Sequence, residues 1–155
     1  MFPDVDFSLD MREPMPFSDN SVAIVYSEHF FEHLDYPGPA ERFLKECRRI
    51  LKPGGTFSIG VPDTQSALEA YVGPDNKGYF TLAKAKWHPG WCQTRLEHIN
   101  YHFRQGTEHR FAYDFETLNH VLTKTGFTNI RERIFDADLD HESRKDGTLY
   151  VAATK

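Results

Sequence analysis

A strand, a helix and a second strand are predicted in succession between residues 22 and 61. Val22-Ala-Ile-Val-Tyr26 is a short apolar run between polar segments, which predicts a strand buried on both faces of a helix-covered parallel sheet. Thr56-Phe-Ser-Ile-Gly-Val61 predicts the next strand. Because parallel strands need a crossover connection, the sequence predicts an α/β fold built on a right-handed crossover unit.

The crossover helix has the clearest pattern in the chain. Apolar residues recur at helical spacing, and charged residues fill the opposite face. The apolar positions are Ala40, Phe43, Leu44, Cys47, Ile50 and Leu51. Lys52-Pro-Gly-Gly55 predicts a flexible exit. Since such a helix owes most of its stability to burying its apolar face, we expect it to pack on the sheet.

Further elements are predicted beyond residue 113. Asp114 is a suitable cap for a helix that ends at Gly126. Strands at 127–134 and 148–153 flank a charged connection, Asp136 to Asp146, which is expected to be too polar to bury.

A segment rich in aromatic and histidine residues precedes that helix. From Trp87 to Tyr113 it shows no sustained period, so it forms either a lid over a ligand or an aromatic surface loop. We therefore expect one domain, residues 1–155, with an inserted lid at about 64–113.

Composition and charge exclude several classes of protein. The 155 residues include 18 Lys and Arg against 23 Asp and Glu, without a basic run, so binding to nucleic acid is not expected. No apolar stretch is long enough to span a membrane. Without a secretory signal pattern, and with Cys47 and Cys92 expected as reduced thiols, a cytoplasmic location is predicted.

Phosphate-binding loops are not found in the sequence. No two of the ten glycines have the G-x-G spacing, which argues against a dinucleotide site. Gly73 and Gly78 have the spacing of a Walker loop, but Tyr79-Phe80 follow where Lys and Ser or Thr are required.

One short pattern suggests a metal. His29-Phe-Phe-Glu-His33 matches the H-x-x-E-H of zinc peptidases, which keeps open a zinc hydrolase that uses His29, Glu32 and His33. The nearby predicted strand and Pro37 leave too little room for the long helix of such enzymes. Cys92, His98, His102 and His109 have no paired-ligand spacing. We therefore assign no metal site.

Polar residues follow the predicted strands. They are Asp10, the run Ser27-Glu28-His29, and Asp63 after Pro62. Ligands of open parallel sheets bind beyond the carboxyl ends of the strands. The sequence therefore predicts one crevice that these residues share.

Three segments together resemble a known family. They are Asp10-Met-Arg-Glu-Pro-Met-Pro-Phe-Ser-Asp-Asn-Ser21 with the following strand and Glu28-His-Phe-Phe-Glu-His-Leu34, then Leu44-Lys-Glu-Cys-Arg-Arg-Ile-Leu-Lys-Pro-Gly-Gly-Thr56, and Val61-Pro-Asp63. In this order they are similar to class I S-adenosylmethionine-dependent methyltransferases of the type 11-like group. The resemblance covers about residues 4–63, and His109-Arg-Phe-Ala-Tyr-Asp114 is similar to a later part of the family.

The resemblance implies a fold, a cofactor and a set of site residues. It implies a Rossmann-like methyltransferase sheet, mostly parallel with an antiparallel C-terminal strand, and methyl transfer from S-adenosyl-L-methionine to a small-molecule acceptor. The implied cofactor-binding residues are Asp10, Met11, Ser27, Glu28 and His29. The expected acceptor-binding residues are Asp63, Tyr101, Arg104, His109, Arg110 and Tyr113. His29 is the candidate catalytic base, because imidazole titrates near neutral pH, and His109 or Tyr101 in the lid is an alternative.

The chain also differs from the family. Members begin with a strand and a glycine-rich cofactor loop, whereas Val5 to Leu9 resembles their third strand, so we expect an N-terminally truncated fold. A non-catalytic binding or assembly module is therefore an alternative. The strand Val22 to Tyr26 would have an open edge, which we expect Phe2 to Leu9 to fill, within one chain or by exchange in a homodimer.

Overall fold

The computed structural model describes residues 8–11 and 13–155. Its strands are β1 (Val22–Glu28), β2 (Leu51–Pro62), β3 (Thr128–Glu132) and β4 (Thr148–Thr154). Its α-helices are α1 (Gly38–Ile50), α2 (Thr64–Val72), α3 (Tyr79–Leu82), α4 (Arg95–Arg104) and α5 (Phe115–Lys124). Shorter turns are the 3₁₀ turns Phe31–His33 and Glu142–Arg144 and the π-helical turn Ala83–Trp87. Within these ranges, no helix has the length and apolar character needed to cross a membrane.

The four strands form one sheet in the order β1-β2-β4-β3. β1 pairs with β2 in parallel, as the crossover unit predicts, and β4 is antiparallel to both β2 and β3. Three strands therefore point one way, and the antiparallel C-terminal strand is confirmed. The prediction of a mostly parallel sheet is wrong for the pairing of the described strands, because β4 enters between β2 and β3 and makes two of the three pairings antiparallel.

The main core lies between the sheet and the helices α1 and α5. Apolar residues of β2, such as Phe57 and Ile59, pack there with residues of both helices. Two polar contacts also join α1 to α5 and the residues that follow it. Lys124 Nζ donates to Glu41 Oε1 at 2.6 Å, and Arg48 Nε donates to the Gly126 carbonyl at 2.9 Å. A second, smaller cluster joins α2, α3 and α4. The sheet thus carries a separate helical layer beyond the ends of β1 and β2.

Two strand predictions need correction. β1 is not buried on both faces: Ile24 is 50% exposed, because β1 has no partner on its outer side among the described strands. β2 begins at Leu51, earlier than predicted, with an irregular register opposite Val22. The predicted strand Val5 to Leu9, and its role at the open edge, fall mostly outside the described residues; Ser8 and Leu9 have no regular structure.

Two segments predicted as irregular or exposed are ordered by polar contacts. α4 begins at Thr94, whose hydroxyl accepts from the Glu97 amide while the Glu97 carboxylate accepts from the Thr94 amide. This capping box is a local pattern that the sequence displays. The connection from 136 to 146 is not wholly exposed, because Asp140 is buried and paired with Arg133.

Candidate functional site

A cavity of about 220 Å³ lies beyond the carboxyl ends of β1 and β2. This is the position that the strand order of an open α/β sheet predicts for a ligand. The cavity is lined by His29, Pro62, Tyr79, Lys86, Trp87, His88, Tyr101, His102, Gln105, His109, Arg144, Asp146 and Gly147. Its walls therefore come from the end of the sheet, from the helical layer and from the segment before β4.

His29 stands where the chain leaves β1. Its amide donates to the Gly60 carbonyl at 2.9 Å, and its φ of 48° turns the chain away from the sheet. A positive φ is uncommon outside glycine and marks strain that often has a functional reason. The ring Nε2 lies 2.8 Å from Thr148 Oγ1 on β4. Burial lowers the pKa of His29 to about 3, so the imidazole is neutral at pH 7.

Glu32 places a carboxyl group behind His29. Its side chain is 2% exposed, and Oε1 lies 3.5 Å from His29 Nδ1 and 3.8 Å from His33 Nε2. Within the described residues neither carboxyl oxygen has a hydrogen-bond partner. Burial raises the pKa of Glu32 to about 7. Buried carboxyl groups without partners are rare in folded proteins and require an explanation.

The helical layer contributes a wall of imidazole and phenol groups. His102 Nε2 lies 3.1 Å from Thr64 Oγ1, and its Nδ1 lies 3.0 Å from the Tyr79 hydroxyl. His88 Nδ1 lies 2.8 Å from His98 Nδ1. Burial lowers the pKa of His102 and of His88 to about 4. This wall is therefore neutral at pH 7 and still able to form hydrogen bonds.

The segment before β4 supplies the charged wall. Lys86 Nζ donates to Asp146 Oδ2 at 2.6 Å, which joins this segment to the helical layer. Arg133 holds the base of the segment through two hydrogen bonds to Asp140, of 2.6 and 2.5 Å. Gly147 has a φ of 75°, and a Cβ there would lie 2.5 Å from the Trp87 ring. Only glycine allows the segment to approach this ring so closely.

Replacing Gly147 by alanine is expected to lower the free energy of unfolding by about 1–3 kcal/mol. The loss is expected because alanine is strained in the left-handed backbone conformation and because its Cβ would collide with the Trp87 ring. Gly106→Ala is the matched control, since Gly106 has a φ of 73° and a Cβ added there would meet no atom within 4 Å. In a Trp91→Phe background, urea unfolding followed by tryptophan fluorescence measures both effects. Equal losses in the two variants would contradict the close contact.

A second hollow, of about 480 Å³, lies beside the outer edge of β1. It is mostly apolar and is lined by Met11, Met15, Phe17, Val22, Ile24, Val25, Tyr26, Ser27, Glu28, Phe30, Phe43 and Ile50. Ser27 Oγ is buried and has no hydrogen-bond partner among the described residues. Glu28 Oε1 accepts from the Tyr150 hydroxyl at 2.9 Å. Because His29 directly follows Glu28, the end of β1 separates this hollow from the cavity.

The residues predicted for the cofactor fall into two places. Met11, Ser27 and Glu28 line the hollow, whereas His29 lines the cavity. Asp10 is exposed, and its carbonyl accepts from the Glu13 amide in a turn.

The residues predicted for the acceptor are also divided. Tyr101 and His109 line the cavity. Asp63 caps α2, accepting from the Ser66 amide at 3.0 Å. Tyr113 is buried and packs on Phe31. Arg104 and Arg110 are exposed and do not line the cavity.

Sequence reasoning missed several cavity residues, among them Tyr79, Lys86, Arg144 and Asp146. It also missed the contact between the His29 ring and the Thr148 hydroxyl. Tyr79 belongs to a four-residue helix that has no detectable period. Lys86 comes from the helical layer and pairs with Asp146. The pairing of β4 with β2 brings Arg144, Asp146 and Thr148 to His29. No local signal in the sequence indicates that pairing.

The fold and the site together define a Rossmann-like α/β protein with a ligand cavity at the strand ends. Comparison with known proteins identifies the family that this protein resembles. Residues 4–59 match the family described as a methyltransferase domain. A malonyl-acyl-carrier-protein O-methyltransferase of Coxiella burnetii is 38% identical over 58 residues, which are 36% of this chain and 20% of that protein. The sequence match to this family thus lies in the N-terminal part of the chain.

Solved structures extend the similarity in fold to nearly the whole chain. A SAM-dependent methyltransferase of Thermotoga maritima is 20% identical with a TM-score of 0.52, covering 94% of this chain and 61% of that one. One from Methanosarcina mazei is 18% identical with a TM-score of 0.54, covering 95% and 65%. These structures show the similarity in fold, and the family match of residues 4–59 confirms the resemblance to SAM-dependent methyltransferases, whose cofactor is S-adenosylmethionine. The chain spans less than two thirds of the length of each of these relatives.

Proposed function

We propose that this chain takes part in SAM-dependent methyl transfer to a small molecule held in the cavity. The main support is the position of His29, which projects into the cavity directly after the two residues, Ser27 and Glu28, that line the hollow beside β1. A cofactor in the hollow and an acceptor in the cavity would meet at the end of β1. The segment 64–113, which supplies most of the cavity wall, would act as the lid.

The hollow has the chemical character that part of the cofactor requires. Its apolar wall suits a flat adenine ring, and the unpartnered Ser27 hydroxyl offers a hydrogen bond that the described residues leave unused. Ser27, Glu28 and Met11 are therefore the residues that would hold it. When bound, S-adenosylmethionine supplies an activated methyl group on a sulfonium.

The residues of the chain would contribute position and proton transfer. Methyl transfer is an in-line displacement, so a cavity that fixes the acceptor and excludes water provides much of the acceleration. The neutral His29 ring has a pKa of about 3, below the near-neutral value that the sequence predicts for a base. It would therefore accept a proton at Nε2 only where bound acceptor or the Glu32 carboxylate raises that pKa. Thr148 Oγ1 lies 2.8 Å from this Nε2. The nearby Glu32 carboxyl group would stabilise the resulting imidazolium, as a carboxylate does behind other catalytic histidines.

The cavity favours an acceptor that carries negative charge. Arg144 lines it and, within the described residues, forms no ion pair, whereas Lys86 is already paired with Asp146. The sequence predicts this role for Arg104 and Arg110, which lie outside the cavity. The neutral histidines and tyrosines of the opposite wall would supply hydrogen bonds to polar groups of the acceptor.

Calorimetric titration with S-adenosylhomocysteine tests the cofactor site, and Ser27→Ala makes the test specific. Loss of one hydrogen bond is expected to weaken binding by about 2- to 10-fold. Because the hydroxyl has no partner in the described structure, its removal is expected to leave the melting temperature unchanged or slightly raised. Ser143→Ala, at an exposed position, is the control. Binding unaffected by Ser27→Ala would contradict the assignment, and no binding at all would favour the non-catalytic module.

The zinc hydrolase hypothesis receives no support from the geometry of its motif. His29 lies outside any helix, and His33 ends a three-residue 3₁₀ turn. The enzymes with this motif carry both histidines on one α-helix. A homodimer through the outer edge of β1 and a cytoplasmic location stay predictions from the sequence.

A further inference from the structure

Three side chains beside the proposed methyl-transfer site offer metal ligands to one another. One ligand atom each from Glu32, His33 and His109 lies within 4.8 Å of the other two. Glu32 and His33 come from the turn after β1, and His109 comes from the segment after α4. The two histidine rings meet edge to face, with centroids 5.1 Å apart.

The hydrogen bonds of His33 and His109 indicate which ring nitrogen of each histidine can bind a metal ion. His33 Nδ1 lies 3.1 Å from the Glu108 carbonyl, and His109 Nδ1 lies 2.7 Å from the His102 carbonyl. A carbonyl only accepts, so each Nδ1 carries the proton and each Nε2 keeps its lone pair. A backbone carbonyl that receives the other ring N–H is the usual partner of a metal-binding histidine.

Glu32 supplies the third ligand, and metal binding would explain why its carboxyl group is buried. Its carboxyl group is 2% exposed and has no hydrogen-bond partner in the described structure, although it faces His33 Nε2 at 3.8 Å. With both Nδ1 atoms engaged by carbonyls, the Nε2 atom of His33 faces this group without a proton to donate. A carboxylate opposite a nitrogen lone pair is unfavourable unless a proton or a metal ion lies between them.

We propose that Glu32, His33 and His109 bind a divalent transition-metal ion of the zinc type. Two imidazoles and one carboxylate form a ligand set that zinc uses with a fourth position left open. Tetrahedral bonds of about 2.1 Å place ligand atoms roughly 3.4 Å apart, so the three groups must approach by at most about 1.4 Å. The His33 side chain is 32% exposed, which gives an ion access from the surface.

A second cluster offers an internal comparison. His88, Cys92 and His98 are also close together. There, however, the two Nδ1 atoms face each other at 2.8 Å, and Cys92 Sγ points to the Glu97 carbonyl at 3.9 Å. One nitrogen of this pair already accepts a hydrogen bond from the other. His98 does not line the cavity and is therefore a suitable control position.

The test is metal binding by the chain after removal of bound metal with a chelator. Equilibrium dialysis against Zn²⁺ is expected to give one tightly bound equivalent, and Co²⁺ is expected to give the visible absorption of a low-symmetry site. Glu32→Gln, which keeps the shape of the side chain, and His33→Gln are each expected to weaken zinc binding at least 10-fold. His98→Gln is expected to leave it unchanged.

Circular dichroism of each variant checks that the fold is retained. Zinc is expected to raise the melting temperature of the wild type more than that of Glu32→Gln at the same zinc concentration. Two results would overturn the proposal. One is a wild-type chain that binds no zinc. The other is zinc binding that survives both Glu32→Gln and His33→Gln, or that is lost only in His98→Gln. Neither result depends on methyl transfer, so this test stands apart from the proposed function.

Discussion

Replacing Asp140 by asparagine is expected to lower the free energy of unfolding by about 3–5 kcal/mol, the usual cost of breaking a buried ion pair. Asp140 accepts from both terminal nitrogens of Arg133 and from the Asp136 amide at 2.7 Å, with its side chain fully buried. Without the carboxylate, the Arg133 charge is left without its partner against the Tyr150 ring. Urea unfolding measures the loss, and the exposed Asp138→Asn is the matched control.

The pH dependence of this effect has a definite sign. Burial alone would raise the pKa of Asp140, but the hydrogen bonds from Arg133 and the Asp136 amide outweigh it, so the pKa lies below its ordinary value. A lowered pKa stabilises the fold above the unfolded value of about 3.9, and this stabilisation is lost as the pH falls through the folded value. The difference between wild type and Asp140→Asn should therefore be constant near neutral pH and shrink below about pH 4. A difference that grows in acid would contradict the ion pair.

Replacing His29 is expected to reduce the rate of methyl transfer per bound acceptor by about 10²- to 10⁴-fold, the usual contribution of a general base. His29→Asn is the preferred variant, because asparagine tolerates the positive φ of this position while lacking the basic nitrogen. His29→Ala then shows whether the ring itself matters. The measurement is single-turnover methyl transfer at saturating acceptor.

His120→Ala provides the control for this experiment, since His120 is exposed on α5. Its rate should match that of the wild type. Unchanged single-turnover rates in both His29 variants would show that the acceptor needs no base from this residue. Substitutions of Tyr101 and Arg144 would then test whether the cavity positions the acceptor.

The sequence was most informative where structure depends on local pattern. The α1 ladder from Ala40 to Ile50, the crossover unit and the α5 cap at Asp114 were all confirmed. These features arise from periodicity and from side chains that bond to nearby amides, which a single sequence displays directly. The capping box of α4 was equally local and was overlooked among the aromatic residues around it.

What the sequence did not reveal depends mainly on contacts between distant segments. Asp140 looked solvated, yet Arg133, only seven residues earlier, pairs with it inside the connection between β3 and β4, which has no periodic pattern that would predict the contact. Arg144 was missed as a cavity residue because it reaches the cavity only through the pairing of β4 with β2, whereas Arg104 and Arg110 were predicted for their positive charge within the expected lid. The strand-end rule correctly predicted His29 at the cavity, but Ser27 and Glu28, which were predicted to share that crevice, line the hollow on the other side of the end of β1.

The position of β4 has a consequence for how the protein is made. This strand follows all the others in the chain, yet it lies between β2 and β3 in the sheet. While the ribosome is still adding residues before 148, β2 and β3 have no bridge between them, and both expose unpaired backbone on that side. Synthesis from the N-terminus therefore leaves these edges open to chaperones or to aggregation until this last strand emerges.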